Sequence, residues 1–298
     1  EREMELYMLP EGCISSILSL TSPRDACRLS AVASNFRSAA DSDGVWETFL
    51  PSDYRLIISR AVDSSSLDFS SKKELYLHLC DSPLLIDGGK LSFWLEKQTG
   101  KKCYMIAPRD LFIVWSDTPT YWNWISHPDS RFSEVAELLS VCWLEIRGRI
   151  KTSMLSPNTI YAAYLVYKFA ATPYGFDHHP TELSIGTSSG KIQTRTVILD
   201  PERGHRQPVH FRIRHGRLLR GRLNYPMRLE ASAARECETQ ESHRKERQDG
   251  WMEVELGEFY SETGEDGELE MSVMEVKGGN WKGGLIVQGI EIRPQRGK

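Results

Sequence analysis

Nowhere in its 298 residues does the chain carry the run of about 18 apolar positions that a membrane-spanning helix requires. Its amino end, EREMELYMLPEG, also lacks the basic-then-apolar order of a secretory leader. Charge of one sign is missing too. Thirty-seven Lys and Arg stand against 41 Asp and Glu, a formal net charge of -4, so the chain as a whole attracts neither nucleic acid nor an anionic membrane. Cysteine is sparse: Cys13, Cys27, Cys80, Cys103, Cys142 and Cys237 form no CxxC and no cysteine-histidine zinc spacing. That fits a reduced protein of the cytoplasm and nucleus better than a disulfide framework. Catalytic signatures are absent as well, with no GxSxG, HExxH, P-loop or GxGxxG. Asp177, His178 and His179 adjoin on a proline-flanked loop, but three consecutive loop side chains make neither a metal site nor a triad by themselves. Glu145, Glu253, Glu255 and Glu275 fall in strand-like runs, and spacing alone leaves a glycosidase-like pair of acids open.

What the chain does have is two regimes of pattern. Residues 8 to 80 read as short helices with Ser-rich breaks, and residues 90 to 292 as strands and turns. Ser22-Pro23-Arg24-Asp25 supplies a capping hydroxyl, a proline at the first helical position and an acid at the third, which starts a helix. Ala26, Leu29, Ala33, Phe36 and Ala40 then recur at three- and four-residue steps on one face. Leu9, Ile14, Ile17 and Leu18 give a shorter apolar face upstream, and Val45, Trp46, Phe49 and Leu50 a further helix closed by Pro51. Helices this short bury little, since a unit of about 60 residues covers only about 60% of its surface. A partner is therefore expected on the apolar side left over.

In its order, LPEGCISSILSLTSPRDACRLSAVASNFRSAADSDGVWETFLP resembles an F-box, with Leu9-Pro10 opening it and Val45-Trp46 near its end. The resemblance implies docking on a Skp-type adaptor and, through it, the cullin of an SCF ubiquitin ligase. It implies that Leu9, Pro10, Ile14, Ile17, Leu18, Leu29, Val32, Phe36 and Trp46 divide between the small core and the adaptor groove. On this reading residues 1–52 are the F-box, and residues 53–89 a linker with a helix from Lys72 to Leu79. Leu84, Leu85 and Ile86 stand between Pro83 and Gly88-Gly89, so the joint is expected to be stiff.

From residue 90 to 298 the pattern is β. Gln98-Thr99-Gly100 turns between two strand-like runs, VCWLEIRGRI alternates, and TIYAAYLVYKFA, ELSIG, RTVILD, WMEVELGEFY, ELEMSVMEV and LIVQGIEI continue the character. RFSEVAELLSV is the exception, with helical spacing through Phe132, Val135, Ala136, Leu138 and Leu139. Many short strands with turn signals argue for a jelly-roll-type β-sandwich, which makes the whole chain multidomain α plus all-β.

Here the runs SFWLEKQTGKKCYMIAPRDLFIVWSDTPTYWNWI, RFSEVAELLSVCWLEIRGRI, DGWMEVELGEF and EVKGGNWKGGLIVQGIEIRP are similar to the phloem protein 2 domain of plants and to the Nictaba-type lectins. That resemblance implies a lectin domain, able to pair into a homodimer, that binds N-acetylglucosamine oligomers or the core of N-linked glycans without metal, cofactor or catalysis. Sugar rings offer apolar C–H patches and a hydroxyl rim, so such a site needs an exposed aromatic platform beside fixed polar groups. LFIVW alternates as a strand, with Leu111, Ile113 and Trp115 on one face and Phe112 and Val114 on the other. The resemblance places Trp115 and Trp122 on the tryptophans tied to sugar binding, with Tyr121 their neighbour. Trp124 and Trp143 are read as core. Glu275 is the expected carboxylate partner, and Lys277, Asn280, Trp281 and Lys282 crowd a glycine-flanked hairpin tip that reaches toward a ligand. Residues 201–249 depart from the family. Eight arginines lie between Arg203 and Arg228, apolar periodicity is poor, and an exposed, disordered insertion is expected.

Overall fold

The structure is a computed structural model that describes residues 9–63, 67–177, 179–187, 190, 192–200, 244–262 and 266–295. Among them six helices come first: α1 (Glu11–Ser19), α2 (Pro23–Leu29), α3 (Ser34–Ala40), α4 (Asp43–Phe49), α5 (Tyr54–Ser59) and α6 (Lys72–Asp81). The Ser22 hydroxyl caps α2 by accepting from the Asp25 N–H at 3.1 Å, and Ser71 caps α6 by accepting from the Glu74 N–H at 3.2 Å. Ile14, Leu18, Ala26, Phe36 and Trp46 are buried together, and the Trp46 indole N–H donates to the Ala40 carbonyl at 2.6 Å.

Fourteen strands follow: β1 (Leu84–Ile86), β2 (Leu91–Leu95), β3 (Lys102–Ile106), β4 (Phe112–Ile113), β5 (Trp122–Ile125), β6 (Val135–Leu138), β7 (Leu144–Lys151), β8 (Thr159–Tyr174), β9 (Thr181–Thr187), β10 (Gln193–Val197), β11 (Arg244–Glu246), β12 (Met252–Ser261), β13 (Glu268–Glu275) and β14 (Gly283–Pro294). They form two antiparallel sheets. The larger runs β1-β2-β3-β14-β8-β12-β11, with β6 also on β14 and β5 on β6, and the smaller runs β10-β9-β13-β7-β4. Side chains alternate along each strand, so Ile290, Leu165 and Tyr104 from the larger sheet meet Ile146, Val273 and Leu183 from the smaller in one core. This is a β-sandwich preceded by a small helical domain.

The joint between them is packed. Trp46 and Tyr76 pack in a tilted ring contact with centroids 5.1 Å apart, and the Tyr76 hydroxyl donates to the Lys97 carbonyl at 3.2 Å, so α4, α6 and the β2–β3 turn form a chain of contacts. Lys102, nearly buried, pairs with Asp53 at 3.1 Å across the same seam.

The helix expected at RFSEVAELLSV is instead β6, paired with β5 and β14. Both faces of this strand carry buried apolar residues. Ala136 and Leu138 enter the main core, while Phe132 and Val135 join Met105, Val166 and Trp251 in a second cluster on the outer face of the larger sheet. Burial on both sides imitates a helical period. The insertion expected to run to 249 overlaps the sandwich at its end, because Arg244–Glu246 pairs with β12 and Arg247 sits among Asp249, Glu253 and Glu291. Residues 201–243 and His178 lie outside the described residues.

Candidate functional site

The candidate ligand site grows from the end of β4. The strand stops after Ile113, and Trp115 turns into the left-handed region at φ 61°, which a bulky residue adopts at a cost of about 1–3 kcal/mol. Two neighbours hold it there. The Trp122 indole N–H donates to the Val114 carbonyl at 3.1 Å, and the Trp124 indole N–H donates to the Ser116 carbonyl at 3.0 Å. Trp115 therefore sits between two pinned carbonyls, the residue 40% exposed and its ring 5.2 Å from the Tyr121 ring. The turn closes with the Thr118 N–H donating to the Trp115 carbonyl at 3.0 Å.

The alternation expected for LFIVW ends one residue early, so Trp115 does not share the buried face of Leu111 and Ile113. Trp122 is 2% exposed, in the core beneath the turn. It supports the platform and offers no open face of its own. Trp124 is half-buried, with the Arg109 guanidinium 3.7 Å from its ring centroid.

Residues 277–282, expected as a hairpin tip, instead belong to the loop that crosses from β13 in the smaller sheet to β14 in the larger, because these two strands do not pair; the loop lies at the same end of the sandwich. Leu139 donates its N–H to the Tyr121 carbonyl at 2.8 Å, and two residues on Val141 bridges to Lys282. Gly283 packs so tightly here that a Cβ would lie 2.3 Å from the Leu139 carbonyl oxygen. Glu275 and Lys282 face inward as a buried ion pair. The Lys282 ammonium also donates to the Asn280 carbonyl at 2.7 Å and the Cys142 carbonyl at 3.4 Å. The expected roles of Glu275 and Lys282 as ligand contacts thus give way to bracing, because both heads are removed from solvent. Asn280 is half-buried, Lys277 reaches Glu182 at 2.9 Å, and Trp281 stands 56% exposed in the loop.

Of the residues expected to divide between helical core and adaptor groove, Ile14, Leu18, Phe36 and Trp46 are core, and Leu9 and Leu29 are half-buried. Pro10, Ile17 and Val32 are exposed. Pro10, Cys13, Ile17 and Leu20 follow one another at steps of three and four residues along α1 and its ends, and all four are exposed. Leu20, at 87% exposure, belongs to this stripe and was missed by the motif reading.

Comparison with known proteins decides the family. Residues 101–294 match phloem protein 2, and residues 6–48 match the F-box domain. The chain belongs to the phloem protein 2 family. Two Arabidopsis thaliana relatives span nearly all of it. F-box protein PP2-B15 is 46% identical, covering 97% of this chain and 96% of its own length, and F-box protein PP2-B1 is 45% identical, covering 97% and 89%. Among solved structures, TmCBM61 in complex with β-1,4-galactotriose covers 65% of this chain and 88% of its own, at 8% identity and a TM-score of 0.26, too distant to bear on fold or ligand.

Within this phloem protein 2 domain each of the four acids left open as a hydrolytic pair is held in an ion pair. Glu145 pairs with Arg147 at 2.8 Å, Glu253 with Arg293 at 2.7 Å, Glu255 with Arg195 at 2.8 Å, and Glu275 with Lys282. F-box and phloem protein 2 domains are binding modules.

Trp143, expected in the core, is 42% exposed, and its indole N–H donates to Glu145 at 2.9 Å. The signal was in the sequence. Trp143, Glu145 and Arg147 alternate with the buried Leu144 and Ile146, so the aromatic shares the charged face of β7.

Proposed function

We propose that this chain is the recognition subunit of an SCF-type ubiquitin ligase, holding a Skp-type adaptor with its F-box and a glycan or glycoprotein with its β-sandwich. Trp115 carries the reading. A strained, half-exposed indole locked by hydrogen bonds on both sides, with a tyrosine ring beside it, suits stacking on the apolar face of a sugar. N-acetylglucosamine oligomers and the core of N-linked glycans are the ligand class expected from the family resemblance. The exposed stripe Pro10, Cys13, Ile17 and Leu20 supports the adaptor half, since an apolar row this open invites a partner. The packed joint serves the same purpose. A receptor must hold its target at a fixed distance from the ubiquitin-transferring subunits, and the Trp46–Tyr76 ring contact and the Lys102–Asp53 pair stiffen that span.

Titration calorimetry of the full chain with N-acetylglucosamine trimer tests the glycan half. Saturable binding that disappears in folded Trp115→Ala supports it, and no binding by the wild-type chain removes it in favour of a protein target. Co-purification with a Skp-type adaptor, lost in the pair Ile17→Glu and Leu20→Glu with unchanged thermal unfolding, supports the adaptor half. Retained co-purification in that pair would overturn it.

A further inference from the structure

The outer face of the smaller sheet is a feature that the Trp115 site leaves unused. Its side chains lie in cross-strand rows fixed by the register. Phe112 is opposite Arg147, Arg147 opposite Ser272, and Ser272 opposite Ser184. Ser184 and Ser272 hydrogen-bond through their hydroxyls at 2.7 Å and form a low, polar floor. Trp143 rises at one edge and Phe112, 60% exposed, further along it.

The charged groups of this face cancel. Arg147 donates to Glu145 at 2.8 Å and to Glu270 at 2.8 Å, and Arg149 donates to Glu270 at 3.1 Å. Two carboxylates and two guanidiniums interlock here, Glu268 stands opposite Lys151 in the register, and Glu182 pairs with Lys277 at 2.9 Å, so the face has no surplus of either sign, which favours a neutral ligand rich in hydroxyls over an anion or a cation. Paired carboxylates and guanidiniums held in place offer both acceptors and donors to such a ligand. The Trp143 ring is also fixed. Its N–H is committed to Glu145, so the indole presents a standing face and loses little freedom on binding.

Continuity with the first site follows from the backbone. The Val114 N–H donates to the Glu145 carbonyl at 3.1 Å, so Trp115 leaves β4 beside the point where Trp143 enters β7. From Trp143 to Arg147, and hence to Phe112 across from it, the strand advances about 13 Å, longer than a single sugar ring.

Resting on the glycan reading of Trp115, we propose that this sheet face extends the site. A neutral oligosaccharide chain anchored at Trp115 by its first two sugars runs over the face, with Trp143 stacking on a sugar beyond them and the Glu145–Arg147–Glu270 row bonding its hydroxyls. The protein then selects chain length as well as sugar type.

The test compares N-acetylglucosamine dimer and pentamer on the full chain by titration calorimetry. The wild-type chain is expected to bind the pentamer roughly three- to tenfold more tightly than the dimer, the gain of one aromatic stack. Trp143→Ala removes that gain and leaves dimer affinity unchanged, whereas Trp115→Ala abolishes both. Trp143→Phe, which keeps a ring and drops the bond to Glu145, retains part of the gain and guards against a folding defect in the alanine variant. Dimer binding with a pentamer affinity indifferent to Trp143→Ala overturns the extension while leaving the Trp115 site standing. Failure of the wild-type chain to bind either oligomer overturns both.

Discussion

The indole N–H of Trp122 donates to the carbonyl of Val114 at 3.1 Å, one residue before the left-handed Trp115. A buried side chain thus sets the posture of an exposed one. The pair separates support from contact, and two substitutions expose the difference. Trp122→Phe leaves the Val114 carbonyl without its donor and vacates core volume, so unfolding in urea should come about 1–3 kcal/mol earlier, with glycan affinity falling because Trp115 is released. Trp115→Gly relieves the strain at φ 61°, so stability should hold or rise by about 1 kcal/mol while binding is lost. If Trp115→Gly instead destabilises the fold as much as Trp122→Phe does, the exposed ring is structural and the platform reading fails.

The ion pair of Glu275 and Lys282 gives a second prediction. Both side chains are buried, and Lys282 ties the start of β14 to the loop before β7 through the Cys142 carbonyl and to its own β13–β14 loop through the Asn280 carbonyl. Lys282→Met strands a buried carboxylate and should cost about 3–5 kcal/mol. Adding Glu275→Gln removes the stranded charge, so the double variant should recover a large part of that loss. Urea midpoints of the wild type and the two variants check this, and a double variant no more stable than the single one rules out the pair as the brace of the β13–β14 crossing.

These two cases also show what was legible in the sequence. The helix start at Ser22-Pro23 and the order of helices then strands depend on local chemistry, and the structure follows them. Glu275 and Lys282 read as solvated because charges usually are, and only the folding of β13 against the loop before β7 brings them inside together. Trp122 and Trp115 look alike in sequence, yet the break in β4 at Ile113 sends one ring outward while β5 carries the other into the core. Phe132 and Val135 misled for a related reason. A strand buried on both faces has no alternation to display.

Proton concentration should act through Glu145. The Trp143 indole N–H holds this carboxyl below its usual 4.5, burial opposes that, and Arg147 adds to it. A depressed carboxylate contributes stability above its unfolded value, and the contribution is lost as pH falls through the lower folded value. Wild-type and Trp143→Phe chains should therefore differ in urea midpoint at pH 7, and the difference should shrink as pH drops below 4.5 toward 3. A gap that stays constant over that range would show that the Trp143–Glu145 bond does not set the titration.

Rigidity of the joint makes the last prediction. Gly100 turns the β2–β3 hairpin at φ 70°, and a Cβ there would lie 2.5 Å from the Phe49 carbonyl oxygen at the end of α4. Gly88, at φ 68°, has open space around its Cβ position, so it reports the backbone penalty alone. Gly88→Ala should cost about 1–2 kcal/mol, the ordinary price of a left-handed alanine. Gly100→Ala adds a clash with backbone that only separation of the helices from the hairpin relieves. It should therefore lose more stability than Gly88→Ala and, unlike it, become sensitive to brief proteolysis that divides the helical domain from the sandwich. Equal behaviour of the two variants in unfolding and in digestion would mean that the seam between α4 and the hairpin gives way easily, and that the spacing of a bound target is not fixed by this contact.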